Sequence, residues 1–178
     1  RFVNKKAPFA VLLAFQRVLA QLPSAKLIMI GDGPLFFACK EMAGMLGIAE
    51  SIEFTGRLNP EQQRECMQRA SLFVQHSVVG PDGDSEGLPV AIMEASAMGM
   101  PIVSTIHSGI PEAVEDGVTG LLSPEFDAET MAANIIRLLA NPTEGIEMGR
   151  KGKEKMQASF RMETHIENLK QLVAKTSR

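Results

Sequence analysis

Residues 77–101 read SVVGPDGDSEGLPVAIMEASAMGMP, a glycine- and acid-rich loop that runs into a helix apolar on nearly every side. Such a helix belongs in an interior. It nevertheless carries Glu94, and an interior carboxylate is costly unless something hydrogen-bonds to it. Glu86 lies earlier, just before Gly87-Leu88-Pro89, where glycine frees the backbone and Pro89 suits the first helical turn. The stretch therefore predicts a helix N-terminus, a natural anion site, bracketed by two carboxylates.

Working outward from this stretch, short apolar runs alternate with helical repeats. Upstream, residues 72–75 read as a strand and 60–69 as a helix. Before them come a strand at 52–54, a helix at 35–46, the apolar run AKLIMI at 25–30 and a helix at 11–22. Downstream, residues 101–104 form a strand and 105–112 a loop. GVTGLL at 117–122 forms a last strand, residues 128–139 a helix, and 144–175 a charged helical pair after the Asn141-Pro142 break. This alternation predicts an α/β, Rossmann-like three-layer domain: a parallel sheet with helices on both faces. Ligands of such sheets lie beyond the carboxyl ends of the strands, so the loops at 4–8, 31–34, 55–57, 76–88 and 105–112 should converge on one edge.

Composition fits one ordinary globular domain over residues 1–178, with 45% hydrophobic and 22% charged residues and a formal net charge of -3. With no basic surplus, nucleic acid is not an expected partner. Cys39 and Cys66 have no metal-ligand spacing and read as buried thiols. The sequence shows no spanning apolar run and no signal peptide, which makes the cytoplasm the expected compartment. The abrupt start at Arg1-Phe2 suggests a fragment of a longer protein.

A ligand with its anionic group at the helix start could place one hydroxylated end near Glu86 and another near Glu94. A carboxylate accepts from two vicinal hydroxyls at once, so a sugar ring or a ribose diol fits. Against this stands the plainer reading, with Glu86 a solvated loop acid and Glu94 satisfied by backbone or an arginine. Arg1 and Lys6, on a turn at the same edge, either clamp a diphosphate or are ordinary surface cations.

Gly31-Asp32-Gly33 follows a strand and opens a helix, but Phe36 replaces the third glycine of a dinucleotide fingerprint. A tight turn giving backbone access to a ligand is the better reading. Asp82, Asp84 and Glu86 alternate along one loop without the full ligand series of a calcium site, so no metal is expected there. His76 and His107 sit on ligand-edge loops within reach of a substrate, and His165 belongs to a surface helix. No activated nucleophile is visible, so chemistry by positioning and electrostatics is expected.

Arg1-Phe2-Val3-Asn4-Lys5-Lys6, Gly31-Asp32-Gly33-Pro34, Phe54-Thr55-Gly56 and Glu86-Gly87-Leu88-Pro89 through Glu94-Ala95 come in order, followed by Gly99-Met100-Pro101-Ile102-Val103, Gly109-Ile110-Pro111-Glu112 and Asp116-Gly117-Val118-Thr119-Gly120. In that order they resemble the C-terminal domain of retaining GT-B glycosyltransferases, the group 1 or family 4 class. The resemblance spans nearly the whole chain, and the Glu86 to Glu94 spacing is its most specific part. The loop Gly80-Pro81-Asp82-Gly83-Asp84 resembles members that build bacterial exopolysaccharides such as colanic acid.

The resemblance implies a domain that binds a nucleotide-sugar donor and moves a hexosyl group to an acceptor hydroxyl with retention. It implies no cofactor and no obligatory metal. By position, Arg1 and Lys6 would hold the diphosphate and Glu86 would face the transferred sugar. The amides after Gly87, with Leu88 and Pro89, would meet the phosphates and sugar, and Glu94 the ribose. Gly31, Gly33, Gly56 and Arg57 would surround the base and its ribose.

In the family, an N-terminal domain binds the acceptor, whether sugar, lipid-linked sugar or polysaccharide. That domain and the first strand are expected to be missing here, so the chain alone should bind donor weakly and transfer little. The full-length protein is expected at the inner face of the membrane as a peripheral enzyme. The chain departs from the family where Pro-Ser becomes His76-Ser77 and Lys-Gly becomes Lys6-Ala7, which bears on loop geometry. Two rivals share the architecture: a nucleotide-sugar epimerase and a non-catalytic nucleotide-sugar-binding module.

Overall fold

The computed structural model describes residues 1–159. The latter part of the expected helical pair, with His165, lies outside the described residues. After a 3-10 turn at Asn4–Lys6, helix α1 (Pro8–Gln21) leads to strand β1 (Leu27–Ile30), and helix α2 (Phe36–Met45) to β2 (Ile52–Gly56). Helix α3 (Pro60–Arg69) precedes β3 (Phe73–Val74), α4 (Val90–Met98) precedes β4 (Ile102–Thr105), and the short α5 (Ile110–Ala113) precedes β5 (Gly120–Ser123). Helices α6 (Ala128–Ala140) and α7 (Pro142–Ser159) follow.

All strand pairings are parallel, in two ladders: β1 with β2, and β3-β4-β5 in that order. Among the described residues no strand joins the ladders. Residues 1–5 run between them instead. Phe2 donates its amide to the Asp32 carbonyl at the end of β1 (3.0 Å), and Lys5 accepts from the Val78 amide beyond β3 (2.9 Å).

Successive strand residues show that both faces are covered, because side chains alternate along a strand. In β4, Ile102 packs with Ile92, Ile110 and Met156, while its neighbour Val103 packs with Leu12, Val18 and Met131. In β5, Leu121 joins the second of these groups and Leu122 the first. Helices α1, α2 and α6 thus close one face, and α4, α5 and α7 the other, the three layers expected.

Several boundaries differ from the expected ones. The last strand starts at Gly120, because residues 117–119 are consumed in a turn where Val118 and Thr119 both donate to the Glu115 carbonyl. Residues 110–113, expected as loop, form α5. Pro89 is not inside the first turn of α4: it is the extended residue before it (φ -64°, ψ 123°), and its carbonyl accepts the first helical amide, from Ile92. Proline tolerates that position because extended backbone lies within its fixed φ.

One backbone departure and one close helix contact stand out. Ala7 has φ 32° and ψ 56°, a left-handed conformation between the 3-10 turn and α1 that glycine would adopt more easily. Gly149 of α7 lies so close to α4's end that a β-carbon there would overlap the Gly99 carbonyl.

Candidate nucleotide-sugar site

Because the strands all point one way, the segments that leave their carboxyl ends share one edge of the molecule. Lys6, from the first turn, and Glu86, from the long loop after β3, meet there, Nζ to Oε2 at 3.2 Å. Their side chains are only 17% and 18% exposed, which separates this pair from the surface ion pairs of the chain. The contact lies off the hydrogen-bond line. Glu86 Oε2 is therefore buried with a charge partner but without a hydrogen bond. An acceptor in that condition is open to a hydroxyl donor. Arg1 is exposed at the same edge.

Next to Glu86, α4 begins with no side chain capping it. Its first amides are the unpaired donors that favour an anion. Gly87 is exposed, Leu88 half-buried and Pro89 buried, and the Gly87 carbonyl accepts from the Gly109 amide at 3.1 Å.

Glu94 overturns one expectation. It is exposed, together with Val90 and Ala97, whereas Ile92, Ala95 and Ser96 are buried. Helix α4 is thus half surface despite its composition, and Glu94 needs no internal partner. It sits about 7 Å along the axis from Pro89, at 1.5 Å rise per residue.

The glycines after β1 first serve the chain itself. The Gly31 amide donates to the Gly56 carbonyl at 2.8 Å, continuing the β1-β2 ladder. A β-carbon on Gly33 would come within 2.4 Å of the Phe2 carbonyl oxygen, so glycine is what lets residues 1–3 lie against this turn. Gly56 borders open space. Arg57 Nε lies 3.5 Å from Asp32 Oδ2, an ion pair on an 85% exposed side chain that contributes little to stability.

In the acidic loop, Asp84 pairs with Lys5 at 3.0 Å, and the Gly80 amide closes the loop on the Asp84 carbonyl at 2.7 Å. A cavity of about 200 Å³ lies between this loop and the first turn, lined by Val3, Asn4, Lys5, Pro34, Asp82 and Asp84. Among the described residues, no group of three His, Cys, Asp or Glu side chains could hold a metal ion. Nor is any described helix long and apolar enough to cross a membrane.

His76 and His107 lie on the expected loops after β3 and β4. Both are buried, which removes them from direct reach of a substrate in solution. His76 Nε2 accepts from the Phe126 amide at 2.9 Å, and burial pushes its imidazole down to about 4 from 6.5, leaving it neutral. His107 Nδ1 contacts Glu125 Oε1 at 2.6 Å, while the other oxygen of Glu125 accepts from the Val79 amide at 3.2 Å. Burial works to raise the Glu125 carboxyl. The hydrogen bonds from His107 and Val79 outweigh it and hold the group below the usual carboxylate range. Glu125 carried no signal of its own in the sequence; its only clue was its place just after a strand on the ligand edge.

Comparison with known proteins bears on the fold and the family. The family model described as glycosyl transferases group 1 matches residues 1–155. WcaL of Salmonella typhimurium, whose name assigns it to colanic acid biosynthesis, is 37% identical over 135 residues, 76% of this chain and 33% of that protein. A mannosyltransferase of Mycolicibacterium smegmatis, named as GDP-mannose-dependent and acting on phosphatidylinositol monomannoside, is 31% identical over 154 residues, 86% of this chain and 40% of its own. Among solved structures, a TarM mutant of S. aureus in complex with fondaparinux, α-GlcNAc-glycerol and UDP superposes with a TM-score of 0.84 at 20% identity, covering 97% of this chain and 34% of TarM. The chain thus spans roughly a third to two fifths of the length of these curated relatives. It belongs to the group 1 glycosyltransferases.

Proposed function

We propose that this chain is the donor-binding half of a glycosyltransferase that moves a hexosyl group from a nucleoside diphosphate sugar to an acceptor hydroxyl with retention of configuration. The observation that carries the reading is the Lys6–Glu86 pair at the uncapped start of α4. A diphosphate arriving at the α4 amides competes for Lys6 with a double negative charge that Glu86 cannot match. Lys6 and Arg1 then neutralise the diphosphate and the charge that grows on it as the glycosidic bond breaks. Glu86, released from its cation, accepts from hydroxyls of the transferred sugar, and its unbonded Oε2 is the acceptor in waiting. Glu94, exposed further along α4, takes the ribose hydroxyls, with Gly31, Gly33, Gly56 and Arg57 around the base.

Two side-chain cations and a helix start supply the positive charge, so the reaction needs no metal ion. The donor class is supported by the GDP-mannose named for the mycobacterial relative and the UDP bound in the TarM structure. Polysaccharide or lipid-linked acceptors fit the names of both relatives, and the acceptor site belongs to a further domain of a longer enzyme held at the inner membrane face.

Calorimetric titration of this chain with UDP and GDP tests the donor site, with binding of at least one as the expected outcome. In a full-length enzyme, EDTA should leave transfer unchanged. Release of a free epimer without any need for an acceptor would overturn the transferase reading.

A further inference from the structure

We propose that Glu125 is a positioning residue for the donor loop, one carboxylate that holds both flanks of the segment carrying Glu86; this rests on the donor-site reading above. The loop after β3 is long and its tip, residues 81–85, is exposed; the first turn holds it through the Lys5–Asp84 and Lys6–Glu86 pairs, and the ends of the loop are held separately. Its two ends are tied to the turn after β5. At the near end, Glu125 Oε2 accepts the Val79 amide at 3.2 Å, and His76 Nε2 accepts the Phe126 amide at 2.9 Å. At the far end the link is indirect. Glu125 Oε1 holds His107 Nδ1 at 2.6 Å, and two residues on, the Gly109 amide donates to the Gly87 carbonyl at 3.1 Å. That approach is close: a β-carbon on Gly109 would meet the Gly87 oxygen at 3.3 Å and the Leu88 β-carbon at 3.4 Å. Any shift of residues 107–109 therefore reaches Gly87 and Leu88, between Glu86 and the start of α4.

The clasp is built rather than incidental. Phe126 has φ 62° with a 68% exposed side chain, a left-handed residue kept in place although nothing is gained by burying its ring. His107 is 4% exposed, so its orientation depends on the one partner it has, and Glu125 fixes the proton on Nδ1. Removing the carboxylate leaves the buried His107 Nδ1–H without an acceptor and releases the amide of the exposed Val79 to water.

The test combines calorimetry with UDP and GDP and heteronuclear NMR on the chain, comparing wild type, Glu125→Ala, Glu125→Gln and, as a remote exposed control, Glu41→Ala. Glu125→Ala should weaken nucleotide binding about tenfold, displace the Gly87 and Gly109 amide resonances and abolish the downfield Nδ1–H signal of His107. Glu125→Gln, which can accept only one of the two donors, should fall between it and wild type. Glu41→Ala should match wild type throughout. If Glu125→Ala does not fold, the glutamine variant decides. A folded variant that binds nucleotide as wild type does overturns the proposal. So does a lowered Tm with unmoved Gly87 and Gly109 resonances, which would make Glu125 a stability residue only. If wild type binds neither nucleotide, the donor reading fails, and the clasp then stands or falls on the amide displacements alone.

Discussion

Glu94 shows how a single residue can be read correctly for type and wrongly for setting. Glu94 stands out in the sequence as an acid that an interior helix could not afford, but it is exposed, the ordinary setting of a carboxylate, so burial no longer argues for a ligand. That sharpens its test. Glu94→Ala should weaken nucleoside diphosphate binding by roughly 1 to 3 kcal/mol while leaving Tm within the small range of ordinary surface changes. Loss of both together, or of neither, would remove it from the site. Ala7 has left-handed backbone at the position where the resemblance implies glycine, a residue that adopts it more easily. Ala7→Gly should relieve strain of about 1 kcal/mol, partly offset by the entropy glycine adds to the unfolded chain. A modest rise in denaturation midpoint is expected, and a clear fall would show that the turn is not strained.

Elements were legible where periodicity ran long and obscure where a few residues decided. Helices α1 and α6 lie within a few residues of their expected bounds because their apolar repeats extend over several turns, and α3 because Pro60 and the reciprocal Asn59–Gln62 cap mark its start. The strand expected at 72–75 is only Phe73–Val74, and α5 escaped notice because four residues carry no period. Candidate-site residues contributed by one loop, such as Glu86 and Gly87, could be read from local chemistry. The Glu125–His107 contact could not, since it joins the ends of two strands whose adjacency is a property of the sheet.

The α4–α7 contact is another such tertiary fact. Gly149 meets Gly99, the left-handed residue that ends α4 (φ 84°), with no room for a methyl group between backbones. Gly149→Ala would gain helix propensity of about 1 kcal/mol, but forcing the helices apart costs about 1 to 3 kcal/mol or more. Net destabilisation is therefore expected in chemical denaturation. A stabilised variant would mean that α7 can slide at little cost.

At the scale of the whole molecule, acid stability gathers the buried groups of the ligand edge into one measurable quantity. His76 is held neutral by burial, down to about 4 from 6.5. Between those values an unfolded chain takes up a proton at this histidine that the folded chain refuses. The unfolded state then binds more protons, so stability is full above about pH 6.5 and falls as pH drops toward 4. Glu125 acts in the same direction at lower pH: its carboxylate stays ionised in the fold where the unfolded chain would protonate it, so its contribution is lost as pH falls through the usual carboxylate range. The His76 effect alone amounts to about 3 kcal/mol, at 1.36 kcal/mol per unit, a large share of the roughly 5 to 15 kcal/mol of a typical domain. Tm should therefore fall steeply from about pH 6.5 to 4.5. His76→Gln, which keeps an acceptor for the Phe126 amide but cannot titrate, should have a flatter pH profile even if it melts lower near neutrality. Parallel profiles for the two proteins would show that the acid transition arises elsewhere. A flatter one would assign the acid loss of stability to proton uptake by His76 in the unfolded chain; because the fold keeps this histidine neutral down to about 4, nucleotide affinity of the folded protein should hold over the same pH range.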